Sequence, residues 1–208
     1  MSEQAAIPVT FQRALPPEEA ARADLYALLA AMLNNPPDSA LLANLAAAAP
    51  IEGDPALARA WQGLVNASSA MDADAAAEEH EALFAGVGKS RVSLFAGHYT
   101  GAPARDHPRV RIQAALADQG LARDERATEP EDHLGHLFEA MRVLVSGAGK
   151  RAPARLADQK AFFEEHVGHA AARFFDGLAR APEANYYRHV AAVGAAFTAL
   201  ESQSLQLD

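Results

Sequence analysis

The sequence predicts an all-α fold, a single bundle-like domain of about nine helices. Apolar residues recur at the helical period along most of the chain, and no segment alternates between apolar and polar residues as a half-buried strand would. Proline or aspartate precedes several of the periodic segments, which is typical of helix starts. With 208 residues, the chain suits either one large domain or two small lobes joined by a linker near residues 121–127.

The same patterns give the expected domain organisation. We expect residues 1–15 to form a loose N-terminal arm and residues 201–208 to form a polar tail. The helical domain between them spans residues 16–200. If it divides into two lobes, the N-terminal lobe covers about 16–120 and the C-terminal lobe about 128–200.

Helix signals are clearest in the first part of the chain. The first helix is predicted to begin near Pro16 and to end at the Asn-Asn-Pro-Pro segment of residues 34–37. Asp38, Asp54 and Asp72 each precede an apolar periodic segment. We therefore expect each aspartate to cap the helix that follows it.

A long loop is predicted from Ala85 to Pro108, where glycines and prolines interrupt any period. Several of its residues are nevertheless apolar, namely Val92, Leu94, Phe95 and Tyr99. We expect this loop to pack against the helices, and long loops inside a compact domain are usually functional or mobile. Further helices are predicted at about 108–119, from residue 128, at about 154–179 and from Pro182.

The helix predicted from residue 128 has an unusually charged start. Thr128 and Glu131 have the spacing of a capping box, and Glu129, Glu131 and Asp132 would lie at the positive end of the helix dipole. Capping would account for these acids. It does not account for His133, which shares the buried stripe of the helix and would place an imidazole at the mouth of the core. For Asp132 and His133, a structural role and a binding role are equally consistent with the sequence.

Composition narrows the classes of partner and compartment. Eighteen basic and twenty-seven acidic residues give a formal net charge of −9, which disfavours binding to nucleic acid or anionic membranes and favours a cationic partner. The chain contains no cysteine, so disulfides and thiolate sites are excluded and a reducing compartment fits. We find no signal-peptide pattern and no long apolar segment, so we expect a cytoplasmic protein without stable membrane insertion.

No motif for catalysis or for a cofactor stands out. The Gly-Lys-Ser sequence at 88–90 resembles the end of a phosphate-binding loop, but Leu83 occupies the position of its first glycine. The His-x-x-His pairs at 133/136 and 166/169 could hold a metal, yet no Glu-x-x-His or His-Glu-x-x-His motif accompanies them. We therefore expect no enzyme activity, no cofactor and no metal, and keep a helical metal-binding protein and a general helical adaptor as alternatives.

The segment Glu129-Pro130-Glu131-Asp132-His133 resembles the Glu-Pro-x-Asp-His signature of the TorD/DmsD family of redox-enzyme maturation chaperones. Other segments are similar to that family in the same order: residues 79–84 with Gly86 and Gly88, residues 99–101, and the aromatic positions between Gln159 and Tyr187. The resemblance covers about residues 20 to 200.

This resemblance implies a cytoplasmic chaperone for a molybdenum-containing oxidoreductase. Such a protein would bind the twin-arginine signal peptide, or the unfinished apoprotein, until the molybdenum cofactor is inserted and before export. It would act as a monomer or as a domain-exchanged homodimer. The resemblance and the residue types together give the candidate peptide-binding set, with carboxylates and a histidine for the arginines and an apolar group for the following segment: Glu129, Glu131, Asp132, His133, Tyr99, Phe95, Leu134 and Phe138.

Overall fold

The structure is a computed structural model that describes residues 15–85, 90–100, 108–121 and 129–207. Within these ranges it contains α-helices, two π-helical turns and no β-strand. Each π turn continues an adjoining α-helix, so the described residues form nine continuous helical segments. The predicted all-α class is confirmed. None of the described helices combines the length and hydropathy that a membrane crossing requires.

The helices follow one another in this order: α1 Pro17–Asn34, α2 Ser39–Ala46, α3 Pro55–Ala70, α4 Ala73–His80 with the π turn Glu81–Ala85, α5 Gly97–Thr100, α6 Pro108–Asp118, α7 Leu134–Ser146, α8 Leu156–Phe162 with the π turn Phe163–Val167, α9 Gly168–Arg180 and α10 Tyr187–Leu207. The second π turn joins α8 and α9 without a break.

Three of the early helices begin at the aspartates that the sequence indicates. The side chain of Asp38 accepts a hydrogen bond from Leu41 N at 2.8 Å, and that of Asp72 accepts one from Ala75 N at 2.9 Å. Asp54 accepts from two backbone amides at the start of α3. These three caps confirm the predictions for α2, α3 and α4.

Two later helix starts differ from the prediction. The helix expected from Thr128 begins at Leu134, and Thr128 itself lies outside the described residues. The last helix, expected from Pro182, begins at Tyr187 and continues through Leu207, further than the sequence predicts. At both places a hydrogen bond from a distant part of the chain decides where the helix begins. The short helix α5 was not predicted.

The described helices share one continuous core. Helix α1 packs along α7, and α10 packs against both α9 and α3. These contacts join residues from before and after the predicted linker, of which only Leu121 is described. Eight aromatic side chains of this core are almost completely buried: Tyr26, Tyr186, Tyr187, Phe138, Phe163, Phe174, Phe175 and Phe197.

A buried ion pair connects the first and last helices. Arg22 on α1 donates to the carboxylate of Glu201 on α10 with a shortest distance of 2.5 Å, and also to Glu19 at 2.8 Å. Only 2% of Glu201 is exposed. Burial raises the pKa of Glu201, and Arg22 partly opposes that effect. The end of α10 is therefore attached to α1 by charge as well as by packing.

Glu79 on α4 caps α10 from more than a hundred residues away. Its carboxylate accepts hydrogen bonds from the backbone N–H groups of Asn185, Tyr186 and Tyr187 at 2.8, 2.9 and 2.7 Å. These groups lie at the positive end of the helix, where a carboxylate is favourable. This contact explains why α10 begins at Tyr187.

We predict that Glu79→Ala lowers the free energy of unfolding by about 2 kcal/mol, because three backbone donors lose a charged acceptor. This change corresponds to a melting temperature lower by about 4–8 °C for a domain of this size. Thermal unfolding followed by circular dichroism measures it. Glu78→Ala, at the exposed neighbouring position, is the control, and equal melting temperatures for the two variants would contradict the capping role.

Candidate functional site

The start of α7 is held by backbone pairing with the loop that precedes α5. Ala96 N donates to Asp132 O and Leu134 N donates to Leu94 O, both at 2.8 Å. These bonds place Phe95 opposite His133 in an isolated antiparallel bridge. Four residues of the candidate set, Phe95, Asp132, His133 and Leu134, thus lie at one junction between the loop and the helix.

His133 occupies the N-cap position of α7 but its side chain makes no capping hydrogen bond. Its exposed fraction is 3%, and its ring contacts those of Phe95 and His136 at centroid distances of 5.7 and 5.1 Å. Nδ1 of His133 has no hydrogen-bond partner among the described residues. Burial lowers the pKa of His133 to about 4, with further contributions from His136 and His80. The imidazole is therefore neutral at pH 7.

The three acidic residues before His133 differ in their surroundings. Glu131 accepts a hydrogen bond from Arg109 Nε at 2.8 Å, and its side chain is 12% exposed. Hydrogen bonding from Gln113, together with Arg109, lowers the pKa of Glu131 to about 2. Glu129 is exposed. Asp132 is half-buried. Its Oδ2 atom lies against Gly97, and a Cβ atom added to Gly97 would be 3.1 Å from this oxygen.

The predicted capping box is wrong for Glu131, which does not cap α7. This residue precedes the first residue of α7 by three positions, and its carboxylate is engaged by Arg109 and Gln113 of α6. Thr128 lies outside the described ranges. Glu131 therefore connects α6 to the start of α7.

Two aromatic residues of the predicted loop, Tyr99 in α5 and Phe95 just before it, are half-buried. Tyr99 donates its hydroxyl to Ser93 O at 2.7 Å, and its ring lies edge-on to Phe174 at a centroid distance of 6.3 Å. Burial raises the pKa of Tyr99 to about 12. Phe95 is also half-buried and contacts the His133 ring. The prediction that this loop packs on the helices is confirmed for the residues that the structure describes.

Leu134 and Phe138 do not line a surface groove, and that part of the predicted set needs correction. Both side chains have an exposed fraction of 0%. Phe138 stacks on Phe175 at a centroid distance of 5.9 Å and also contacts Tyr26. Because α7 packs against α1 on one side and against the second π turn on another, its apolar stripe is covered by protein.

The two His-x-x-His pairs differ, because the rings of His133 and His136 are in contact at a centroid distance of 5.1 Å while the second pair is divided between core and surface. His166 is buried beside Phe162, whereas His169 is exposed. Across the described ranges, no group of three or more histidine, aspartate or glutamate side chains is placed to hold a metal ion.

Sequence reasoning missed the residues of α6 that contact this region. Arg109 pairs with Glu131, and Arg111 pairs with Glu165 in the second π turn at 2.5 Å. The available signal was the Arg-x-Arg spacing at the start of a helix with few large apolar residues. The partners of these arginines could not be predicted, because Arg109 and Glu131 are separated by 22 positions in the sequence and Arg111 and Glu165 by 54.

Residues 52–176 match the model of the nitrate reductase delta subunit family. The match covers more than half of the chain and includes the loop, α6 and the start of α7. No curated protein sequence matches this chain. The family consists of cytoplasmic chaperones of the NarJ and TorD type, which are not catalytic.

We predict that His133 makes stability depend on pH in the window between about 6.5 and 4. Its folded pKa lies below its unfolded value, so its contribution is complete above pH 6.5 and is lost as the pH falls towards 4. At full protonation the loss reaches about 3 kcal/mol. Urea unfolding at a series of pH values measures it.

The substitution His133→Gln should flatten this pH dependence, and His98→Gln, at an exposed position, should leave it unchanged. His80 and His166 also have a pKa lowered by burial, so part of the slope persists in every variant. A His133→Gln slope identical to that of the wild type would show that the imidazole is not neutral and buried in solution.

Proposed function

We propose a specific client contact for this chain, which belongs to the nitrate reductase delta subunit family of molybdoenzyme assembly chaperones. The protein binds the twin-arginine signal peptide of a molybdenum-containing oxidoreductase, or the adjoining part of the unfinished apoprotein. It holds this segment until the cofactor is inserted and releases it before export.

The observation that carries this proposal is that Glu131 already binds an arginine. Its carboxylate faces Arg109 Nε at 2.8 Å and stays ionised because its pKa is lowered to about 2 by hydrogen bonds from Gln113 and Arg109. A carboxylate in this state suits a guanidinium group, whose planar fork offers several donors. Exposed Glu129 lies two residues before it and adds negative charge to the same segment.

Fewer residues are available to contact the apolar part of a signal peptide than the sequence predicts. Phe95 and Tyr99 are half-buried; Phe95 lies opposite His133, and Tyr99 follows Gly97, which lies against Asp132. Leu134 and Phe138 support α7 from inside the core. We therefore propose Glu129, Glu131, Asp132, Phe95 and Tyr99 as the peptide contacts, with His133 positioning Phe95 through their ring contact.

Charge supports a contact that forms rapidly and releases readily. The formal net charge of −9 favours encounter with a cationic segment, and this attraction weakens as salt increases. We expect a site with one or two ion pairs and two half-buried aromatic rings to bind with moderate affinity, because exposed ion pairs contribute little free energy. That property suits a chaperone whose client must leave.

A domain-exchanged homodimer is compatible with the same proposal. Helix α1 packs on α7 and α3 packs on α10, and each contact joins a segment before residues 121–127 to one after them. Exchange about this linker would form the same contacts between two chains. The peptide contacts would then come from both partners, because Phe95 and Tyr99 precede the linker.

We predict saturable binding of a twin-arginine signal peptide from a molybdoenzyme encoded in the same genome, measured by isothermal titration calorimetry. A peptide with both arginines replaced by lysine should bind about tenfold more weakly, because an ammonium group cannot reproduce the bidentate fork. Glu129→Gln should weaken binding of the arginine peptide by about threefold through loss of an exposed charge.

Glu18→Gln is the matched control, since it removes one exposed carboxylate from α1 outside the proposed contact. Equal affinities for the arginine and lysine peptides would rule out the proposed recognition of arginine. Absence of binding by every signal peptide tested would move the client contact to the mature apoprotein.

A further inference from the structure

Helix α6 presents two arginines to two carboxylates on different parts of the fold. Arg109 pairs with Glu131 in the segment before α7, and Arg111 pairs with Glu165 in the second π turn. Nitrogen–oxygen distances are 2.8 and 2.5 Å. Two carboxylates thus lie where they receive a pair of guanidinium groups from one short segment.

The axial rise between these two arginines on a helix is close to that between adjacent arginines on an extended chain. Residues i and i+2 of an α-helix differ by about 3 Å along the axis and by about 200° in direction. Adjacent residues of an extended strand differ by about 3.3 Å and about 180°. Arg109 and Arg111 therefore resemble the Arg-Arg pair of an extended signal peptide in axial rise and in side-chain direction, with Cα atoms about 5.4 Å apart instead of about 3.8 Å.

Little apolar surface attaches α6 to the rest of the protein. Ile112 is its fully buried side chain, while Ala115 and Leu116 are half-buried. Val110, between the two arginines, is 62% exposed. By contrast, α7 buries eight of its residues. Docking of α6 thus depends strongly on its polar contacts. Because an ion pair as exposed as that of Arg111 with Glu165 contributes little stability, α6 is only weakly attached.

We propose that α6 is an internal occupant of the arginine site, and that the two arginines of a signal peptide compete with Arg109 and Arg111 for Glu131 and Glu165. This inference rests on the function proposed above and extends it. It adds Glu165 to the residues that recognise arginine and gives α6 an autoinhibitory role.

Competition of this kind lowers the apparent affinity for the peptide even when the unoccupied site binds arginine tightly. When a site is free in only a fraction of molecules, the apparent dissociation constant rises by the inverse of that fraction. A single cationic side chain can replace only one of the two arginines of α6. A segment with two adjacent arginines can replace both, which favours the intended client over other cationic peptides.

The test compares the double variant Arg109→Gln/Arg111→Gln with Arg155→Gln/Arg180→Gln. Both remove two positive charges, and the control arginines are exposed and pair with Asp158 and Asp176, three and four positions away in the sequence. The two variants therefore have the same net charge and attract a cationic peptide equally at long range. We expect the α6 variant to bind a twin-arginine peptide about fivefold more tightly than the control variant, measured by calorimetry.

The outcomes separate this inference from the proposed function. If the α6 variant binds the peptide more tightly than the control variant, the inference is supported. This holds even if the wild type shows no binding. Binding by the wild type with no gain in the α6 variant over the control overturns the inference and leaves the proposed function in place. Absence of binding by every variant overturns both the inference and the signal-peptide contact, and leaves the apoprotein as the client segment.

A second comparison tests Glu165 directly. In the Arg109→Gln/Arg111→Gln background, Glu165→Gln should weaken binding by about threefold. Glu164→Gln, at the exposed adjacent position, should leave it unchanged. In the wild type, a saturating twin-arginine peptide should also increase amide hydrogen exchange in α6. Equal effects of the two glutamate variants, or unchanged exchange in α6 when the peptide is bound, would overturn the proposal.

Discussion

The backbone pairing between residues 94–96 and 132–134 determines the arrangement of the candidate site. Its two hydrogen bonds, each 2.8 Å long, connect the loop to the chain just before α7. They keep residues 129–133 out of the helix, although a proline and several acids favour a helix start there. As a consequence His133 turns into the core, and the acidic residues before it stay close to the surface.

Long-range polar contacts hold the frame to which this site is attached. Glu79 caps α10 from α4, and Arg22 joins α1 to Glu201 near the end of α10. Each contact satisfies groups that would be costly to bury alone, namely free helix N–H groups in one case and a carboxylate in the other. They unite distant parts of the chain around the aromatic core. The extensive burial of this frame contrasts with α6, in which Ile112 alone is fully buried.

The second π turn links the core to the proposed arginine site. Residues Phe163–Val167 place Phe163, His166 and Val167 inside the protein, while Glu165 stays exposed and meets Arg111. π turns within α-helices are often found at functional sites. Both carboxylates that receive arginine lie within residues 52–176, the range that matches the family model.

The sequence by itself determined the all-α class, the caps at Asp38, Asp54 and Asp72, and the acidic segment before His133. These features depend on residues within one helical turn of each other, so local chemistry is sufficient. Tertiary structure decided where α7 and α10 begin, that Leu134 and Phe138 are buried, and that Glu131 and Glu165 meet Arg109 and Arg111. Those outcomes depend on partners distant in sequence, because a helical pattern marks an apolar stripe without showing what covers it.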